Sequence, residues 1–225
     1  MSALEPERDV LPTQSWGFTP GVPGVTDDMK RSLPAQCQIA LKEWASVLVA
    51  LERGEQLVLI RKGGLIEPGS GFELVSDVFL FYPTFEHQTV SFLRSPYTHY
   101  LEEAHRRKAS EGQVRVELCG HVVSSTRHTD PAVMERLRSF HVYNDAFATQ
   151  RLKWQPDQPL VVAVVRAFRL ATPQVLSVAS RYAGCKSWVD LEQPVSLQGA
   201  ESVLEDSVFA DRLSQIQDLL GETAS

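Results

Sequence analysis

The sequence predicts an α+β fold, a mixed and mainly antiparallel sheet or a partly closed barrel flanked by helices. Three observations carry this expectation. Short apolar runs follow one another directly, at Leu57–Lys62, Phe72–Val75 and Val78–Tyr82. Few of them are separated by a full crossover helix, which a doubly wound parallel sheet would need. The strongest strand pattern, Leu160–Leu170, comes late, after helical segments. Strands and helices that do not alternate regularly belong to α+β rather than α/β architectures.

Residues 1–35 hold five prolines and three glycines without any periodicity, and read as an irregular arm that Trp16 and Phe18 could dock. Residues 36–200 read as a single α+β domain, and 201–225 as an acidic amphipathic helix packed on that domain or extending it. After Pro34, Cys37, Leu41, Trp44, Leu48 and Leu51 recur at helical spacing, which predicts a helix ended by Gly54. Leu57–Lys62 is apolar on both faces as far as Ile60, the pattern of a strand covered on both sides. Ser76-Asp77 supplies a turn between the next two strands. Ser95 and Pro96 mark a helix start, and Glu102 and Glu103 face Arg106 and Arg107 at the spacing of helical ion pairs. Val114–Val123 alternates as a strand. Asp130-Pro131 opens a short helix, and Asn144 caps another to Leu152. After Leu160–Leu170 the chain reads as irregular, up to a helix with Phe209, Leu213, Ile216 and Leu220 on one stripe and Gly221 at its end.

Composition excludes several classes. The 43% apolar and 22% charged content is ordinary for a globule. No apolar run approaches a membrane span, no signal peptide is read, and three scattered cysteines favour a reducing compartment, so a cytoplasmic, membrane-free protein is expected. Charge is uneven: residues 36–189 carry eighteen bases against fifteen acids, whereas 190–225 carry one base against eight acids. The middle is mildly basic beneath a net charge of −6.

Phosphate-loop, dinucleotide, zinc-protease and nucleophile-elbow signatures are absent, and the six histidines show no ligand spacing, so neither metal nor cofactor is expected. Three segments remain. LIRKGG ends a strand in Arg61 and Lys62, which alternation puts on opposite faces, so that at most one looks into a given cleft. Gly63 and Gly64 allow close backbone approach to an anion; the alternative is a plain strand end and turn. VFLFYPTFEHQ breaks a strand at Pro83 and presents Tyr82, Thr84, Glu86, His87 and Gln88, with Glu86 and His87 pointing apart as neighbours. RYAGCKSWVDL sets Cys185 beside Lys186, which can lower a thiol pKa, although a structural cysteine fits as well. Trp188 reads as core, with base stacking as the alternative.

ALKEW (40–44), LIRKGG (59–64), FYPTFEHQ (81–88), RLKW with the following PLVVAVVRAFRL (151–170) and GCKSWV (184–189) together resemble a bacterial, cyanobacterial-type family of domains of unknown function. That resemblance covers about residues 36–220 and implies no activity. A weaker one, in the helix leading to G-x-x-x-x-L-I-R (54–61) and the late long strand, is to ASCH and PUA-like domains. It implies an RNA or modified-base cleft near the first helix and strand. Some of those relatives hydrolyse acylated nucleosides with Lys, Thr and Glu, which would fall on Lys62, Thr84 and Glu73 or Glu86.

Three functions stay open. The first is a binding module for RNA, a nucleotide or a modified base, using Lys42, Arg61, Lys62, Gly63, Gly64, Tyr82, Thr84, His87, Gln88, Lys186 and Trp188, with Phe85 and Trp154 as further stacking aromatics. The second is a small-substrate hydrolase or nuclease with Lys62 and a carboxylate or His87, the candidates being Lys62, Glu73, Thr84 and His87. The third is an interaction scaffold whose C-terminal helix binds a protein partner or a second copy.

Overall fold

A computed structural model describes residues 33–62, 72–184 and 186–221. The residues predicted as the first helix divide in two: Gln36–Trp44 is a strand, β1, which passes without a loop into α1 (Ala45–Glu52). The helical spacing of Cys37, Leu41 and Trp44 is therefore misleading. Ala40 and Leu41, adjacent in sequence, are both fully buried, on opposite faces of the sheet, in two different apolar clusters. A helix could not place both neighbours so, whereas a central strand must. Gly54 lies at φ 68 just past α1, as its C-terminal signal predicts.

The strands that follow are β2 (Val58–Arg61), β3 (Val78–Thr84), β4 (Gln113–His128), β5 (Leu160–Ser177), β6 (Trp188–Ser196) and β7 (Glu201–Ser202). Residues 72–75 form no strand, and β6 and β7 fall in the segment expected to be irregular. β6 is hard to read from the sequence because one of its faces meets water and is polar, with exposed Asp190 and Glu192 alternating with buried Val189 and Leu191. The strand order is β2-β5-β4-β3-β1-β6, with β7 on β5. β1 and β3 are parallel and every other pair is antiparallel. The mixed, mainly antiparallel sheet is thus the one expected.

The helices are α2 (His99–Arg106), α3 (Val133–Arg136), α4 (Asp145–Lys153) and α5 (Asp206–Leu220). The Asn144 side chain accepts hydrogen bonds from the N–H groups of Ala146 and Phe147, the cap predicted for α4. Glu102–Arg106 and Glu103–Arg107 pair along α2 as their spacing demands. Phe209, Leu213 and Ile216 of α5 are buried in the larger core, so that stripe is already used within the chain.

The sheet curls strongly. β1 lies four strand positions from β2, which on a flat sheet is roughly 19 Å. Yet the Arg61 guanidinium at the end of β2 donates to the Lys42 carbonyl (2.6 Å) and the Glu43 carboxylate (2.9 Å) at the end of β1. Side chains therefore bridge β2 and β1, whose backbones do not pair among the described residues. Phe72 adds to the bridge, stacking on Trp188 at 6.0 Å and lying under Arg61 at 5.8 Å. Gly120 on β4 permits the tight inner packing, because a Cβ there would stand 2.9 Å from the Phe81 ring. No helix of the described residues is long and apolar enough to cross a membrane.

Candidate functional site

Because β1 and β3 are parallel, their carboxyl ends emerge together, with Lys42 opposite Tyr82 and Trp44 opposite Thr84. The curl of the sheet brings the end of β2 to the same place. Two clefts open there, of about 350 and 360 Å³, and they share Lys42, Thr84, Glu86 and Gly184. Each is of the size that takes a small organic ligand.

The first cleft combines aromatic and aliphatic walls with a charged rim, in which Lys42, Arg107, Lys108 and Arg115 are nearly balanced by Glu52, Glu86 and Glu117. Leu48 and Val49 of α1 form one wall, with Tyr82, Phe85, Leu118 and Tyr182 around them. The Tyr82 and Tyr182 rings meet edge to face at 6.1 Å, and burial raises the Tyr82 hydroxyl pKa. Lys42 Nζ lies 6.0 Å from the Tyr82 ring and donates to the Gly184 carbonyl at 2.9 Å.

The second cleft is cationic. Five cations line it, Lys42, Arg61, Lys62, Arg151 and Lys186, against two carboxylates, Glu43 and Glu86, among the described residues. The expectation that Arg61 and Lys62 look away from each other is overturned. The strand ends at Arg61, so alternation no longer governs Lys62, and both line this cleft. Their roles differ. Arg61 is bound to the buried Glu43 and to a carbonyl, with its Nε buried and without a hydrogen-bond partner among the described residues. Lys62 is 6% exposed, its ammonium donating to the Leu152 carbonyl at 3.2 Å. Burial lowers its pKa, with Asp157 opposing.

Thr84, Glu86 and His87 also reach this cleft. Thr84 Oγ1 accepts from the Glu86 N–H at 3.3 Å, a local turn. His87 takes φ 60, uncommon for a residue with a side chain, so Glu86 and His87 both line the cleft instead of diverging as extended neighbours would. Lys186 lines its rim.

Other residues singled out from the sequence lie elsewhere. Gln88 Oε1 accepts from the Ser46 N–H and so holds the first turn of α1. Trp188 is packed against Phe72 and Phe79, and its indole N–H donates to the Glu73 carbonyl, which makes it core rather than a stacking platform. Glu73 lines neither cleft. Gly63, Gly64 and Cys185 lie outside the described residues.

Sequence reasoning missed Glu43, Gln150 and Arg151. Arg151 left a trace: it follows Phe147 by four residues, on the inward face of α4, and its guanidinium lies 5.0 Å from that ring. A cation on the buried face of a helix is such a signal. Burial lowers the Arg151 pKa, and the neighbouring Arg61 charge lowers it further.

Fold and site define an α+β domain with a cationic cleft at the ends of its parallel strand pair. The chain belongs to the family described as Domain of unknown function (DUF1802), whose sequence profile matches residues 40–215. The five blocks that carried the resemblance to a family of unknown function all lie within that range. No curated protein matches the sequence. Among solved structures, a tyrosine-to-phenylalanine mutant of the ASCH protein from Zymomonas mobilis is similar at 9% identity and a TM-score of 0.41, covering 69% of this chain and 90% of that one. A serine-to-alanine mutant of that protein gives 10% and 0.39, covering 81% and 98%. The unmutated ASCH structure gives 8% and 0.38, covering 78% and 93%. Likenesses this distant do not bear on function.

Proposed function

We propose that the protein is a binding module for RNA, a nucleotide or a modified base, and that the ligand occupies the cationic cleft. One observation carries this reading: five cations face two carboxylates in one cleft, on a chain whose net charge is −6. Such local concentration of charge attracts anions and focuses them where the walls are of low dielectric. Trp154, 38% exposed at the cleft, and the neighbouring aromatic cleft supply surfaces on which a base stacks.

Fluorescence anisotropy with short single-stranded RNAs, and thermal shift with nucleotides, test the reading at two salt concentrations. With about three phosphates neutralised, affinity for RNA falls roughly 20-fold across a fourfold rise in salt. Absence of binding, or binding indifferent to salt, refutes it.

A second reading, a small-substrate hydrolase or nuclease, draws support from Lys62. Its burial favours the neutral amine a general base needs, and Thr84, Glu86 and His87 line the same cleft. The substitution Lys62→Ala then abolishes turnover of an acylated nucleoside or RNA with the fold intact, and an unchanged rate removes Lys62 from the chemistry.

A further inference from the structure

The cations of the second cleft are not equivalent, and the difference points to one of them. Arg61 has a buried carboxylate partner and a carbonyl. The Arg151 side chain, half-buried beside it, makes no hydrogen bond and no close ion pair among the described residues; its guanidinium lies over the Phe147 ring and feels Glu43 and Tyr143 only through longer-range electrostatics. Glu43, the carboxylate in reach of this pair of arginines, is occupied, its Oε2 by Arg61 and its Oε1 by the Trp44 N–H. A partly desolvated guanidinium next to a second cation is stabilised by an anion, since charges withdrawn from water are as a rule paired.

Lys62 completes the feature. Its ammonium donates to the carbonyl of Leu152, the residue next to Arg151, the one hydrogen bond it makes among the described residues, with Asp157 acting on it only at longer range. Two incompletely used cations are therefore brought together by the last turn of α4. Guanidinium and ammonium donors converging on one cleft suit the several acceptor oxygens of a phosphate. The adjoining cleft, with Leu48, Tyr82, Phe85 and Tyr182, offers the apolar walls that a base or sugar occupies, and it joins the first along Lys42, Thr84 and Glu86.

We propose that Arg151 and Lys62 form the seat of a ligand phosphate, so that the module selects phosphorylated nucleotides, or the phosphate of an RNA, over uncharged nucleosides. This rests on the reading of the cleft as a nucleotide site. Arg151 is the specificity-determining residue, and Arg61 holds β2 to β1.

The test is calorimetry on the full chain with ribonucleoside monophosphates, the matching nucleosides, inorganic phosphate and a short RNA, for the wild type, Arg151→Gln and Lys62→Met. Nucleotides are expected to bind about 10- to 100-fold more tightly than nucleosides, the effect of a charge-assisted contact, and Arg151→Gln erases that preference while leaving nucleoside affinity unchanged. Because Arg151 pairs with no carboxylate among the described residues, Arg151→Gln keeps or raises the ligand-free Tm. A large fall in Tm with unchanged ligand affinity assigns Arg151 to the fold and overturns the proposal. If nucleotides, nucleosides and RNA bind regardless of Arg151 and Lys62, the phosphate seat falls while the binding module stands. If inorganic phosphate alone binds, in an Arg151-dependent way, the seat stands and the nucleotide reading falls. No binding by any probe overturns both.

Discussion

Acidification tests the burial of one imidazole. His141 is 3% exposed, its Nε2–H donating to the Met134 carbonyl at 2.8 Å and its Nδ1 accepting from the Tyr143 N–H at 3.2 Å. Those two bonds specify the neutral tautomer. A proton added to Nδ1 would face an N–H instead of a lone pair. Burial is the main cause that pushes the pKa down to about 4, with the cationic Arg94 and Arg138 adding to it and the Met134 carbonyl opposing. The unfolded chain binds a proton near pH 6.5 and the folded chain does so only near 4, so the unfolded state holds more protons between them. Stability therefore falls as pH drops through this window and is fully present above it. The single-site linkage loses about 2 kcal/mol by pH 5 and about 3 kcal/mol by pH 4. For a chain of this size the first figure lowers Tm by about 4 to 8 °C. The assay is urea denaturation followed by circular dichroism at pH 7, 6 and 5, for the wild type and His141→Gln. The substitution lowers stability at pH 7 but flattens its dependence on pH. Equal slopes in the two proteins would refute the assignment of the buried neutral imidazole.

Two further outcomes concern the frame around the site. Truncating Glu43 by Glu43→Ala leaves Arg61 without its buried carboxylate partner and costs about 3 to 5 kcal/mol, whereas Glu43→Ala with Arg61→Leu recovers much of that loss; chemical denaturation of the three variants checks it, and strict additivity of the two single effects counts against a bridging ion pair. Gly54→Ala places a Cβ 2.4 Å from Leu204 at φ 68, while Gly112→Ala meets nothing at φ 74. The first costs about 2 kcal/mol or more from strain plus overpacking and the second about 1 kcal/mol from strain alone; equal losses in thermal denaturation would show that the contact with Leu204 is immaterial.

Much of the local structure was legible in the residues. Asn144 capped its helix, the Glu102–Arg106 and Glu103–Arg107 pairs formed, Gly54 and Gly221 ended theirs in the left-handed region, and Leu160–Leu170 lies within the longest strand. These features act over one or two turns, and the chemistry that makes them is present in the segment itself. Gln36–Trp44 shows the opposite case: its spacing suits a helix, and only the parallel neighbour β3 and the antiparallel neighbour β6 make it a strand. Tertiary partners override a propensity worth tenths of a kcal/mol per residue.

The candidate site divides in the same way. That Lys42, Arg61, Lys62, Thr84, His87 and Lys186 are polar groups at the ends of apolar segments is a property of the sequence. That they line one cleft follows from the curl of the sheet, which carries β2 round to β1 and lets Arg61 meet Glu43. Which cations are committed and which remain open, Arg61 against Arg151, depends on where one buried carboxylate lies. Strand alternation fixes which way a side chain points only while the strand lasts, and it stops at Arg61. By itself the sequence determined the helix caps, the apolar strands and the stock of charged groups, because these depend on neighbours a few residues away. The tertiary structure alone decided the fate of β1, the convergence of the cations and their pairing, because desolvation and charge compensation depend on groups brought together from distant parts of the chain.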